Sequence, residues 1–307
     1  MSVVSIRSAV AAASLAFAGT AMAFTPPTDP TGPGTPDTCQ TNCGYEVGPA
    51  PTAASLAADN GPFAVGSYVV SQPDGYGQGT VYYPRGVNKQ MAVVAVVPGY
   101  VSPESSIEWW GSHLASHGFV TITIGTNSPT DFPPSRARQL NAALDQVIQQ
   151  SKSSGNPISG MIDDSRQGVV GWSMGGGASL RVADSGRVLA SIPLAPWDTQ
   201  KNFGGISTPT LIFACETDAI APIDNHAVPF YQSIPNSTDK SYIEFAGQGH
   251  WCANGNNANE AILSTAGVSW MKLHLDKDER YRPFVCGSQG NYGSKAAISR
   301  ASNTCPF

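Results

Sequence analysis

The run Met91–Val97 (MAVVAVV) restricts the possible folds more than any other feature of the chain. Seven consecutive apolar residues show no polar alternation, so a strand built from them must be covered on both faces. Flanking segments extend the pattern. Ser67–Val70 and Thr80–Tyr83 read as an antiparallel pair around a Pro-Asp-Gly turn, and a helix is expected through Ile107–His117, stopped by Gly118. Phe119–Thr126 is the next strand. Pro134 opens a helix that carries Leu140, Ala143, Leu144 and Val147 on one face. Strands are then expected at Gly168–Gly171, Leu189–Leu194, Thr210–Cys215 and Tyr242–Ala246, with a closing helix at Ala261–Leu275. Strands alternating with helices after an antiparallel start predict an α/β fold: a mainly parallel sheet with helices on both faces.

The N-terminal residues belong to a different regime. Arg7 precedes an apolar, small-residue stretch, Ala9 to Gly19, that ends in Ala21-Met22-Ala23. This is the layout of a secretory signal peptide over residues 1–23, and the stretch is too short for a membrane-spanning helix. Residues 24–45 form a Pro/Gly/Thr-rich arm, with prolines at 26, 27, 30, 33 and 36, which suits neither helix nor strand. Residues 46–307 then read as one globular domain without internal repeats. The formal charge is −5, and removing the single positive charge of Arg7 takes it to −6. Such an acidic balance, without a Lys/Arg cluster, argues against nucleic-acid binding.

The sharpest local signal is Gly171-Trp172-Ser173-Met174-Gly175, a G-x-S-x-G pentapeptide. Its chemistry requires a strand-to-helix turn so tight that the serine sits in strained backbone, and glycines at both ends remove the Cβ atoms that would clash. Chance matches are common enough that the pentapeptide decides little by itself. Context adds weight, since a strand precedes it and Gly176 to Val182 reads as a helix. Together with the strand order, the motif predicts an α/β-hydrolase fold with Ser173 as nucleophile and no lid domain.

In that fold the acid and then the histidine follow the serine. Asp218 lies three residues beyond the expected strand Thr210–Cys215, whereas Asp198, one strand earlier, is the competitor. Among five histidines, His113 and His117 precede the nucleophile, His226 follows the acid too closely, and His274 lies deep in the last helix. His250 ends the loop after Tyr242–Ala246, and its order and position select it as base. The oxyanion hole is expected to use the N–H of Met174 and that of Tyr100, in the loop after MAVVAVV.

Six cysteines in an exported protein suggest three disulfides, although fifteen pairings are open to them. Cys215 and Cys252 each lie within three residues of a triad candidate, so one triad would bring them together. Cys286 and Cys305 share the C-terminal tail, which leaves Cys39 and Cys43 to close a small loop in the arm. Nothing in the pattern suggests a metal site.

Several stretches resemble one family, the bacterial cutinase-like polyester hydrolases that include the PET hydrolases. They are Val97-Pro-Gly-Tyr100, Ser105-Ser-Ile-Glu-Trp-Trp110, Leu114-Ala-Ser-His-Gly-Phe119, Gly171-Trp-Ser-Met-Gly-Gly-Gly177, Ala195-Pro-Trp197, Phe213-Ala-Cys-Glu-Thr-Asp218 and Gly249-His250. The resemblance extends from about Gly48 to the C-terminus. It implies the triad Ser173, Asp218, His250 and the oxyanion pair Tyr100 and Met174. It also implies a groove for aromatic and aliphatic ester units lined by Tyr100, Trp172, Met174, Trp197 and Ile220. The pairs Cys215–Cys252 and Cys286–Cys305 match the family's two-disulfide branch. Two departures stand out. Trp251 occupies a position where relatives usually carry Phe or Ser, and it is expected to line the groove beside His250. His226 and Phe230 are bulky where relatives place residues behind Trp197, and they are expected to restrict its rotation. The arm has no counterpart in the resemblance.

The expected function is therefore a secreted serine ester hydrolase acting on polyesters, monomeric, with no cofactor, no membrane anchor and an ester as its partner. The alternative is a carboxylesterase or lipase for soluble or lipid esters with the same chemistry. No inserted segment is long enough for a lipase lid. A non-catalytic binding module is the reading of another class, and it has no use for three intact triad residues.

Overall fold

A computed structural model describes residues 43–255 and 257–307. The expected signal peptide, the arm as far as residue 42, and Cys39 with its expected bond to Cys43 lie outside the described residues. Among the described residues nine strands form one sheet: β1 (Val65–Val69), β2 (Gln78–Pro84), β3 (Met91–Val97), β4 (Val120–Gly125), β5 (Ile162–Trp172), β6 (Ala190–Leu194), β7 (Thr210–Cys215), β8 (Lys240–Phe245) and β9 (Ile298–Asn303). The helices are α1 (Ala53–Leu56), α2 (Glu108–Ser116), α3 (Pro133–Lys152), α4 (Met174–Asp184), α5 (Ala227–Ser233), α6 (Glu260–Leu275) and α7 (Arg282–Val285), with short 3₁₀ turns between some of them.

The spatial order is β1-β2-β4-β3-β5-β6-β7-β8-β9. The inner strands β4, β3, β5, β6, β7 and β8 pair in parallel, and the antiparallel pairings are β1–β2, β2–β4 and β8–β9. This is the mostly parallel sheet, flanked by helices, of the α/β-hydrolase fold. β3 explains why. Its Ala92, Val94 and Val96 enter a core with Trp110 and Leu114 of α2 and Leu263, Trp270 and Met271 of α6. Its Met91, Val93, Ala95 and Val97 enter a second core with Leu140, Ala143, Leu144 and Val147 of α3 and Ala178 and Val182 of α4. Both faces of the strand are therefore dry, as the unbroken apolar run requires.

Some elements differ from the sequence-based expectation. β5 begins at Ile162, six residues before the expected Gly168, because the polar stretch Asp163–Gln167 continues the strand past a register shift against β3. The edge strand β9, of sequence ISRASN, was not foreseen. Only Ile298 of it is buried, so it carries no apolar alternation to read. The helix expected at Pro134 starts one residue earlier, at Pro133.

A parallel sheet gathers the C-terminal ends of its strands along one edge, and in such folds that edge carries the site. The ends of β3, β5, β6, β7 and β8 deliver Tyr100, Ser173, Trp197, Asp218 and His250 to it in turn.

Candidate active site

The turn from β5 into α4 is built around Ser173. Its backbone sits at φ 60° and ψ −120°, a region that L-residues avoid and that persists only where neighbours over-determine it. They do so here. The Ser173 N–H donates to the Leu194 carbonyl at 2.9 Å, and the Ser173 carbonyl accepts from Trp197 at 2.8 Å and Gly177 at 3.1 Å. The flanking glycines are sterically required: a Cβ on Gly171 would lie 2.0 Å from the Gly175 oxygen, and one on Gly175 would lie 2.4 Å from the Val97 oxygen.

Asp218 and His250 arrive on separate loops after β7 and β8. His250 Nδ1 lies 2.6 Å from Asp218 Oδ2, and both side chains are buried. Asp218 Oδ1 accepts from the backbone N–H groups of Ile220 at 2.8 Å and Ala221 at 2.7 Å. Burial would raise this carboxyl, but the hydrogen bond from His250 and the two backbone donors outweigh it and hold Asp218 below the ordinary carboxylate range. The two loops are tied to each other. Thr217 N–H donates to the Gln248 carbonyl, Gly247 N–H donates to Glu216, and a Cys215–Cys252 disulfide joins the loops directly. The competitor Asp198 is engaged elsewhere, in a two-bond contact with Arg181 at 2.7 and 2.8 Å.

Trp172 connects the pieces. It precedes Ser173, its ring centroid lies 5.1 Å from that of His250, and its Nε1–H donates to the His250 carbonyl at 3.0 Å. It was expected to line the groove, yet its side chain is buried in the core, with 2 % exposure. It packs against His250 and, with centroids 4.3 Å apart, against the exposed ring of Trp251. The loop after β3 closes the site from the opposite direction. A Cβ on Gly99 would come within 2.8 Å of Ser173 Cβ, so this loop passes against the serine and leaves Tyr100 beside it. Met174, next after Ser173, opens α4, where the free N–H groups and the helix dipole favour negative charge.

Around the serine the surface is aromatic and apolar. Tyr100, Ile220 and Trp251 are all more than two-fifths exposed. Trp197 follows Ala195, which takes φ 39°, and stacks on His226 with centroids 5.5 Å apart, while Phe230 lies edge-on behind His226. Phe132 was not anticipated. It is half exposed, and its ring stands 6.5 Å from Tyr100 and 6.0 Å from Trp197, bridging the two. Nothing in the local sequence around Phe132, the residue before the Pro-Pro start of α3, announces that it faces solvent or what it meets. The second disulfide, Cys286–Cys305, lies in the C-terminal region away from the serine loop. Among the described residues no group of three or more metal-ligating side chains is placed to hold an ion, and no helix is long and apolar enough to cross a membrane.

Comparison with known proteins agrees with this geometry. A family model described as PET hydrolase-like matches residues 39–306. The chain is 45 % identical over 266 residues to Cutinase est1 of Thermobifida alba, which spans 86 % of this chain and 87 % of that one. It is equally similar to Cutinase 2 of Thermobifida cellulosilytica, with 98 % of the relative covered. It is 44 % identical over 246 residues to a bis(hydroxyethyl) terephthalate hydrolase of Streptomyces coelicolor, covering 79 % of this chain and 77 % of the relative. The protein belongs to the PET hydrolase-like family.

Proposed function

We propose that this protein is an exported serine hydrolase that cleaves ester bonds of polyesters through Ser173, His250 and Asp218. The observation that carries the proposal is the His250–Asp218 contact, linked through the Trp172 hydrogen bond to the His250 carbonyl with Ser173 in its positive-φ strand-to-helix turn. With Nδ1–H donated to Asp218, the imidazole presents Nε2 as a base. Nε2 takes the Ser173 hydroxyl proton as Oγ attacks the ester carbonyl, and the resulting oxyanion is held by the N–H groups of Tyr100 and Met174. His250 then protonates the leaving alkoxide, leaving an acyl–Ser173 that water hydrolyses by the same steps in reverse.

The substrate class follows from the surroundings. Tyr100, Phe132, Trp197, Ile220 and Trp251 form an apolar rim that suits a chain of aromatic or aliphatic ester units better than a small charged ester. The relatives named cutinase and terephthalate-ester hydrolase support the same reading. Paired cysteines suit an oxidising, extracytoplasmic compartment.

The test is Ser173→Ala, assayed on polyester film and on p-nitrophenyl butyrate. Turnover on both is expected to fall by orders of magnitude while the melting temperature holds. Retention of more than about a tenth of wild-type turnover would remove Ser173 from the mechanism.

A further inference from the structure

A buried cation lies beside the serine loop. Arg136 is the fourth residue of α3, has no exposed surface, and has no carboxylate oxygen within salt-bridge reach among the described residues. Both facts are costly: the guanidinium is buried with no ion-pair contact, the nearby Asp131 carboxylate acting on it only from a distance while accepting from Ser128 N–H and Gln139 Nε2, and it sits in the first helical turn, where the dipole disfavours positive charge. Burial pushes its pKa down to about 10, still high enough to keep it protonated at neutral pH. Its hydrogen bonds all run to backbone carbonyls: Nε to Asp131 at 2.7 Å, Nη1 to Pro98 at 3.0 Å and Nη2 to Pro129 at 2.9 Å.

Two of those carbonyls bracket Tyr100. Pro98 is two residues before it. Pro129 accepts a second bond, at 2.7 Å, from the N–H of Val101, one residue after it. Val101 itself sits at φ 52°. That left-handed conformation is a strained state for any L-residue and more so for a β-branched one, so something must hold it. We propose that Arg136 is a positioning residue of the oxyanion hole: it fixes Pro98 directly and Val101 through Pro129, and so keeps the Tyr100 N–H between them in place beside Ser173. This rests on the serine mechanism proposed above. The strain at Val101 is the load and Arg136 the restraint, so relieving the one should lessen the need for the other.

The test uses Arg136→Lys, Val101→Gly and the double variant, with p-nitrophenyl acetate as substrate. Active serines are titrated with diethyl p-nitrophenyl phosphate, which releases one nitrophenolate per serine, so that kcat is expressed per competent site. Loss of an oxyanion donor costs about a hundredfold or more in kcat, and a misplaced donor should cost part of that. Arg136→Lys is expected to lower kcat about tenfold or more, with KM changed by less than about threefold, because ground-state binding does not use the hole. Affinity for butylboronic acid, whose tetrahedral adduct places an oxygen in the hole, should weaken by about the same factor as kcat. Adding Val101→Gly should restore at least about threefold of the lost kcat, a non-additivity that a merely structural arginine would not show.

A kcat per titrated serine within about twofold of wild type in Arg136→Lys would overturn the proposal, as would a double variant no better than the single one. If Arg136→Lys yields no folded protein, Val101→Gly alone decides. Relief of a left-handed valine should leave the melting temperature unchanged or higher, whereas a clear fall would mean that no strain is held there and would overturn the restraint. Absence of a stoichiometric nitrophenolate burst from the wild-type protein would sink the serine mechanism itself, an outcome distinct from a normal burst with unaltered kcat in the arginine variant.

Discussion

The two described disulfides should be separable by what their removal does. Cys215–Cys252 closes a loop of 37 residues, and chain-entropy arguments assign that closure about 3.8 kcal/mol at 25 °C. Cys286–Cys305 closes 19 residues, worth about 3.2 kcal/mol by the same relation. At about 2 °C per kcal/mol for a domain of this size, the double alanine variants should melt about 8 °C and about 6 °C below wild type. Thermal stability alone therefore hardly distinguishes them. Activity should. Cys215 is three residues before Asp218 and Cys252 two after His250, so the first bond holds the acid and base loops to each other, while the second lies in the C-terminal region. The Asp218–His250 hydrogen bond works only at one separation, and loosening by an ångström is enough to lower turnover many-fold. Measured well below either melting temperature, kcat on p-nitrophenyl butyrate should fall about tenfold or more in Cys215→Ala/Cys252→Ala and stay within about twofold in Cys286→Ala/Cys305→Ala. Equal kcat in the two variants would refute the claim that the first disulfide holds the triad in register. A melting-temperature loss under about 2 °C in both would refute the entropic magnitudes.

Further outcomes follow from the same geometry. Trp251→Ser should shift the rate ratio between bulky aromatic esters and small acetate esters several-fold, since one aromatic face against a substrate ring is worth about 0.5 to 1.5 kcal/mol, and Trp251→Phe should shift it less. An unchanged ratio with a large drop in melting temperature would instead make Trp251 a packing residue against Trp172. Phe132→Ala removes the bridge between Tyr100 and Trp197 and should lower product release from polyester film relative to p-nitrophenyl acetate hydrolysis; an unaltered ratio would contradict its place in the rim. Burial holds His113 at about 4 and His117, with further help from neighbouring positive charges, at about 3, both below the ordinary 6.5. The folded state keeps these rings neutral while the unfolded chain takes up protons, so stability is full above about pH 6.5 and lost as pH falls toward 4, by up to about 1.4 kcal/mol per pH unit for each ring. A melting temperature constant from pH 6.5 to 4 would contradict that reading.

What could be read from the chain itself depends on local chemistry. The unbroken run of β3 and the amphipathic face of α3 are short-range patterns, and they place the strands and helices because burial acts on each segment as it stands. The glycines at 171 and 175 are equally legible, since the turn they permit is a property of a few consecutive residues. The order of serine, acid and base then ranked Asp218 above Asp198 and His250 above four other histidines. Where interactions join distant segments, that legibility ends. Nothing near Asp198 in sequence announces its contact with Arg181, 17 residues away, and the half-polar β9 becomes a strand only because the edge of β8 offers it unpaired backbone groups. Trp172 is next to Ser173 in sequence, yet it faces the core, because the tight turn at Ser173 points its neighbour inward under His250 and Trp251. Phe132 and Arg136 lie four residues apart, one entering the exposed rim and the other buried against Pro98 and Pro129. That division is made by the loops packed around the start of α3, where chain segments distant in sequence decide which side chain meets water and which meets a carbonyl.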